Sequence, residues 1–311
     1  MILDIARQAL KSWNIMVVDI ALIAQRENIV LKVTDNNGSY YALRLHRPNY
    51  QSNEAILSEL KWLLHLHHEG LQVPKPVASG DGSILVNSNG YSIDLLTWLY
   101  GRQLGVTGEP LDLLDRQSTF YSIGETMARI HLASDNWLLP EDFERNKWNQ
   151  NGLIGENPVW GKFWENTYLT QQQQTLLLQV REKAQSILHD CNIDYGLIHA
   201  DLIHENILLD NSKIQFIDFD DSGFGFRLFD VATALIKNRQ EVDFANLQIA
   251  LIQGYRKIRQ LDATLLPLFL VLRALTYVGW IIPRINEPGS IHRQQHFIAT
   301  AVDLAQSYLN E

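Results

Sequence analysis

The apolar pattern of this 311-residue chain changes character once, near Trp98-Leu99-Tyr100-Gly101-Arg102, and that change constrains the fold more than any other feature. Before it, strand formers dominate. Residues 29–33 and 40–45 are rich in β-branched, aromatic and other apolar side chains. Asp35-Asn36-Asn37-Gly38 between them predicts a hairpin whose glycine takes a positive φ. A helix is expected over 53–68, where Ile56, Leu57, Leu60, Leu63 and Leu64 recur at helical spacing and Gly70 follows as a stop signal. A second hairpin is expected over 83–86 and 91–96, turning at Asn87-Ser88-Asn89-Gly90. Beyond the change, helical patterns run over 112–133, 170–190, 227–238, 242–259, 264–282 and 290–309. One β-like island, 197–219, interrupts them. The chain reads as an α+β protein of two lobes: a small β-rich lobe over residues 1–97 and a larger α-helical lobe over residues 98–311.

Composition removes several alternatives. With 46% apolar and 20% charged residues, the chain is neither disordered nor fibrous. A single cysteine, Cys191, excludes an internal disulfide and a cysteine-rich zinc site, and a reducing cytoplasmic setting is expected. A net charge of −9 argues against a nucleic-acid partner. The acid Asp4 stands where a secretory leader needs basic residues, so no targeting segment is expected. The most membrane-like stretch, 265–282, has Pro267 near its start and Arg273 near its middle. A central arginine costs about 2.5–3.5 kcal/mol on insertion, so the stretch reads as a core helix and no membrane partner is expected.

The chemistry is concentrated in the island. Asp201 sits on a short loop after an apolar run. Asn206 follows five residues later, before Ile207-Leu208-Leu209, and Asp218 ends a second apolar run, Ile214-Gln215-Phe216-Ile217. Asp and Asn favour turns by bonding their own backbone, and each alone reads as a turn residue. Three together between apolar strands read as a site. Two paired strands bring Asn206 and Asp218 towards one end, where their oxygens suit a hard cation such as Mg²⁺. Asp201 stands apart, able to accept a proton. Phosphoryl transfer needs this division between metal ligands and one carboxylate that orients a hydroxyl.

At these residues the chain resembles a known family. His199-Ala200-Asp201-Leu202-x-x-x-Asn206, followed by Ile217-Asp218-Phe219-Asp220, is similar to the catalytic loop and metal-binding aspartate of the aminoglycoside phosphotransferase / choline kinase family. The resemblance implies a protein-kinase-like fold, ATP and Mg²⁺ as cofactors, Asp201 as catalytic base, and Asn206 and Asp218 as Mg²⁺ ligands. It further implies that Leu96, Thr97 and Trp98 form the hinge that meets adenine. Arg44, in Tyr41-Ala42-Leu43-Arg44-Leu45, stands where the family has its nucleotide lysine, and Glu59 matches the acid that pairs with it. No G-x-G-x-x-G separates the first strands. The loop Ala24-Gln25-Arg26-Glu27-Asn28 takes the phosphate-covering place, with Arg26 as its cation. Gly124-Glu125-x-x-Ala128-x-Ile130-His131 and Arg227-Leu228-Phe229-Asp230-Val231-Ala232 extend the likeness, with Asp230 bracing the catalytic loop.

The expected activity is ATP-dependent phosphotransfer to a hydroxyl of a small molecule: an amino alcohol, amino acid, sugar or aminoglycoside. A protein Ser/Thr kinase is the alternative, opposed by the mere twelve residues from Asp218 to Asp230. A non-catalytic nucleotide-binding protein is the third reading, motivated by Arg44 and the glycine-free loop. Among the other polar residues, His199 is expected to hold its loop, and His204 to be a solvated loop residue. His131 is expected to pack, and His65-x-His67-His68 to be a solvated helix end. Asp220 and Asp221 are expected first to face solvent or bond locally. Tyr277 and Trp280 are expected first to pack in the core, and second to form an aromatic wall for a cation.

Overall fold

Strand formers in the first hundred residues assemble into one antiparallel sheet. The structure, a computed structural model, describes residues 2–25, 28–190, 192–211 and 213–310. Its chain divides into two compact units: Met1–Arg102 with Asn136–Arg145 and Leu208–Asp220, and Gln103–Asp135 with Asn146–Ile207 and Asp221–Glu311.

In the first unit, α1 (Ile2–Ala9) precedes strands β1 (Val17–Gln25), β2 (Asn28–Asp35) and β3 (Tyr40–His46). Helix α2 (Asn53–His68) follows, then β4 (Val86–Ser88) and β5 (Tyr91–Thr97). The sheet order is β1-β2-β3-β5-β4, antiparallel throughout. The first hairpin turns where the sequence places it. The Asp35 carboxylate accepts from the N–H groups of Asn37 (2.9 Å) and Ser39 (2.8 Å), and Gly38 takes φ 79°. Helix α2 starts at the Ser52 cap, whose hydroxyl accepts from Ala55 N–H at 3.0 Å, and it stops before Gly70 at φ 80°. Alternate residues Leu31, Val33, Leu43, Leu45, Ile93 and Leu95 point into one core, which Ala6 and Ala9 of α1 cover. Two elements here differ from expectation. Helix α1 and strand β1 are present, and β1 lies at the sheet edge with Val18, Leu22 and Ile23 exposed.

The second unit carries the remaining helices: α3 (Arg116–Asp135), α4 (Gln150–Ile154), α5 (Gln171–Asp190), α6 (Arg227–Ile236), α7 (Phe244–Ile258), α8 (Leu266–Trp280) and α9 (Ser290–Asn310). A small sheet places Gly223–Phe226 between Asn146–Trp148 and Tyr195–Ile198. Helices α3 and α7 cross closely. A Cβ on Gly124 would overlap the Leu251 carbonyl oxygen, and one on Gly254 would overlap that of Tyr121. Helix α8 is apolar on all sides and packs against α6 and α9. Leu266–Arg284 is the one stretch among the described residues long and apolar enough to cross a membrane, and it is mostly buried in the fold.

Candidate active site

The strand Tyr195–Ile198 leads into the loop that carries Asp201 and ends in a short 3₁₀ turn, His204–Asn206. Ala200 sits at φ 68°, a left-handed conformation that strains an L residue by about 1–2 kcal/mol. Asp230, buried on α6, holds the loop in that shape: its carboxylate accepts from His199 N–H (2.8 Å) and Ala200 N–H (2.7 Å). It is in turn 3.1 Å from His131 Nε2, while His131 Nδ1 lies 2.8 Å from the Tyr255 hydroxyl. Burial, reinforced by the Arg227 charge, lowers the His131 pKa to about 4, so the ring is neutral. A carboxylate only accepts, so Nε2 carries the proton and Nδ1 accepts from Tyr255.

Asp201 follows, half-buried, and both of its carboxylate oxygens are held. Arg273 of α8, with no exposed surface, donates to Oδ1 at 2.7 Å. Asn206 Nδ2 donates to Oδ2 at 3.1 Å and to the Asp201 carbonyl at 2.9 Å. Two predicted residues, Asp201 and Asn206, thus touch directly. The amide nitrogen of Asn206 is committed to Asp201, and its Oδ1 has no partner among the described residues.

In the first unit, Arg44 is buried at 5% exposure and gripped from two sides. Nη1 donates to Glu59 Oε1 at 2.7 Å, as expected from sequence. Nε and Nη2 donate to the Asp94 carboxylate at 3.0 and 2.9 Å. His46 Nε2 lies 2.5 Å from the same carboxylate, and Arg145 Nη1 is 3.7 Å from Glu59 Oε2. Burial opposes the Arg44 charge, but Asp94 and Glu59 outweigh it and hold the pKa well above the ordinary value. Asp218 is exposed and takes φ 65°. Asp220 is buried, its Oδ1 unpartnered, and burial with the nearby Glu59 charge raises its pKa. At the expected hinge, Thr97 N–H donates to the Lys75 carbonyl (2.9 Å) and Trp98 N–H to that of Tyr40 (3.2 Å); Leu96 bridges Pro76. Arg26 lies outside the described residues.

Residues 19–265, most of the chain, match the phosphotransferase enzyme family. The chain belongs to this family. Among its relatives are amicoumacin kinase of Bacillus subtilis (strain 168) and homoserine kinase of Polaromonas naphthalenivorans (strain CJ2). The first is 27% identical over 221 residues, covering 70% of this chain and 62% of that kinase. The second is 27% identical over 258 residues, covering 78% of this chain and 74% of that kinase. The chain thus spans less than two thirds of the first relative. The solved structure of a microcompartment-associated aminopropanol kinase superposes with a TM-score of 0.85 at 28% identity, covering 99% of this chain and 98% of that one. The fold of this phosphotransferase-family chain is the protein-kinase-like one, a β-rich N-terminal part and a helical C-terminal part.

Several residues of this family member sit otherwise than the sequence suggested. His204 is not a solvated loop residue: it is buried at 3% exposure, with Nε2 2.9 Å from Asn238 Oδ1. Asp220 does not face solvent. The rings of Tyr277 and Trp280 do face cations, but the protein's own. Arg273 and Lys237 lie 4.2 and 4.5 Å from the Tyr277 centroid, and Arg284 lies 4.2 Å from that of Trp280. His65 stacks on Trp137 with centroids 4.9 Å apart, and His67 and His68 are exposed. No group of three or more His, Cys, Asp or Glu side chains among the described residues is arranged to hold a metal ion. Amide and carboxylate oxygens such as those of Asn206 and Asp218 are the donor type that a hard cation takes. Sequence reasoning missed Asp94, Arg273 and Lys237. The first two share one signal: a single charge within an otherwise apolar strand or helix.

Proposed function

We propose that this chain is an ATP-dependent kinase that moves a γ-phosphoryl group onto a hydroxyl of a small molecule, with Asp201 as the general base. The observation that carries the reading is the fixed Asp201 carboxylate. Arg273 and Asn206 each take one lone pair of its two oxygens, Asp230 braces the loop beneath it, and lone pairs remain to accept a proton. In this reading Asn206 Oδ1 and Asp218 hold Mg²⁺. When bound, the ion draws off phosphate charge and orients the phosphates. Arg44, fixed by Glu59 and Asp94, is a cation held in place for the nucleotide phosphates. Arg26 closes over them, and residues Leu96 to Trp98 flank adenine. Residues 1–97 form the nucleotide-binding lobe and 98–311 the catalytic and acceptor lobe. Aminopropanol, homoserine and amicoumacin kinases among the relatives support a small acceptor, of the amino alcohol, amino acid, sugar or aminoglycoside type.

The test is Asp201→Asn, an isosteric change that removes the base. ADP release coupled to an acceptor is expected to fall about 10²–10⁴-fold, while binding of a non-hydrolysable ATP analogue persists. Full turnover in this variant overturns the assignment. The grip on Arg44 favours a second reading, a non-catalytic nucleotide binder. ATP binding with no acceptor phosphorylated in a broad hydroxyl panel selects it.

A further inference from the structure

A cavity of about 510 Å³ opens in the second unit, lined among others by Thr107, Ile236 and Lys237 at the end of α6, Ala274 and Tyr277 of α8, and Phe297 of α9. That volume suits a small ligand. The cavity adjoins the candidate base through a short chain of contacts. The Tyr277 hydroxyl accepts from Arg273 Nη2 at 3.0 Å, and the same nitrogen holds Asp201 at 2.7 Å. Asn238, next to Lys237, grips His204 of the catalytic loop.

Lys237 is the unusual member. Its ammonium lies over the Tyr277 ring (4.5 Å) and the Phe297 ring (5.4 Å), and it makes no hydrogen bond or ion pair with any described residue. The other charges about the cavity are accounted for. Arg239 pairs with Asp303 at 2.6 Å, and Arg273 with Asp201. Glu241 pairs with Arg116 at 2.7 Å, and Glu205 accepts from Thr107 N–H at 2.8 Å. Glu109 is exposed to solvent. Burial, with the Arg273 charge, lowers the Lys237 pKa to about 8, so the group is still mostly a cation at neutral pH. Glu205 and Asp201 act on this charge without bonding to it. A cation set on two aromatic faces with no bonded anion is incomplete, because a partly buried ammonium gains most from a charged acceptor.

We propose that this cavity is the acceptor site and that it takes a small hydroxylated carboxylate, whose carboxylate group Lys237 binds. The inference rests on the kinase reading for the fate of the hydroxyl, but not for the binding itself. One unpaired ammonium matches a singly charged carboxylate better than a doubly charged phosphate. The Tyr277 ring already carries two cations, which disfavours a cationic amine at that wall.

Three matched pairs of probes isolate the carboxylate: serine and ethanolamine, threonine and 1-amino-2-propanol, homoserine and 3-amino-1-propanol. Each second compound is the first without its CO₂⁻ group. Calorimetric binding to the full chain with a Mg·ATP analogue is measured first, then ADP release with Mg·ATP. The acid of at least one pair is expected to bind about ten- to a hundredfold more tightly than its partner. Lys237→Met should collapse that ratio towards one, and Lys237→Arg should restore much of it. Preference for the amino alcohols, no binding by either member, or an equal loss for both in Lys237→Met overturns the proposal. Should Lys237→Met not fold, the wild-type ratio decides alone. Carboxylate binding that depends on Lys237 but leads to no phosphate transfer supports this site and defeats the kinase reading. Transfer to amino alcohols alone does the reverse.

Discussion

Arg273 is the residue on which the placement of the Asp201 carboxylate depends. Its Nη2 bridges Asp201 Oδ1 and the Tyr277 hydroxyl, and its planar head lies 4.6 Å from the Trp160 centroid. A guanidinium does both at once because it is flat and forked, which an ammonium is not. Under the proposed mechanism, Arg273→Met frees one oxygen of the base without touching nucleotide contacts. A charge-assisted hydrogen bond contributes about 1.5–3 kcal/mol, so kcat should fall roughly ten- to a hundredfold. KM for ATP should stay within about twofold, and Arg273→Lys should recover part of kcat, since charge without the fork is half of the interaction. Steady-state kinetics on both variants checks this. An unchanged kcat in Arg273→Met removes the positioning role.

Among the elements, the crossing of α3 and α7 is the most sensitive to a single methyl group. Gly124 and Gly254 each face backbone of the opposite helix, and neither helix can accept a Cβ there without moving apart. Gly124→Ala is expected to destabilise the protein by about 1–3 kcal/mol, seen as a lower urea midpoint with unchanged m. An unaltered midpoint means that the two helices have room for a Cβ at their crossing. The helices were legible because each buries a regular stripe: expected spans such as 227–238, 242–259 and 290–309 agree with α6, α7 and α9 to within a few residues at each end. Strand β1 was not, since Val18, Leu22 and Ile23 face outward and leave no alternation to read. Gly223–Phe226 escaped notice because two of its four residues are glycine, made small by the Ile198 and Trp148 side chains against Gly225. In the candidate site, Asp201 and Asn206 are five residues apart and touch, although the sequence pattern sets Asp201 apart and brings Asn206 together with Asp218. Asp94, Arg273 and Lys237 lie 50 residues from Arg44, 72 from Asp201 and at the far end of α6 respectively. Only tertiary packing brings such side chains to their partners.

At the scale of the whole molecule, the histidines set how stability responds to pH. His131 is buried and neutral, with a pKa lowered to about 4 against 6.5 for an ordinary ring. The unfolded chain therefore binds a proton at this residue over a pH range in which the folded chain does not. Stability must rise with pH across that range and fall as pH drops from 6.5 towards 4. The shift corresponds to about 3 kcal/mol, fully present above pH 6.5 and lost by the time the native ring itself protonates. His204 and His296 are also lowered by burial, and His67 by partial desolvation and the nearby Lys75 charge; all add to the slope with the same sign. Against the effect of burial, Arg44 and His46 hold Asp94 below the usual carboxylate range, and hydrogen bonds from His131 and the His199 N–H do the same for Asp230; both extend the loss to lower pH. Urea midpoints measured at pH 7, 6, 5 and 4.5 should descend steadily. His131→Gln keeps an N–H to donate to Asp230 but cannot titrate, so it should flatten the slope by about the same 3 kcal/mol while lowering stability at pH 7. A wild-type midpoint that climbs as the solution is acidified through pH 6 contradicts a neutral buried ring, and with it the tautomer that lets Asp230 accept from His131 and from the His199 and Ala200 N–H groups together.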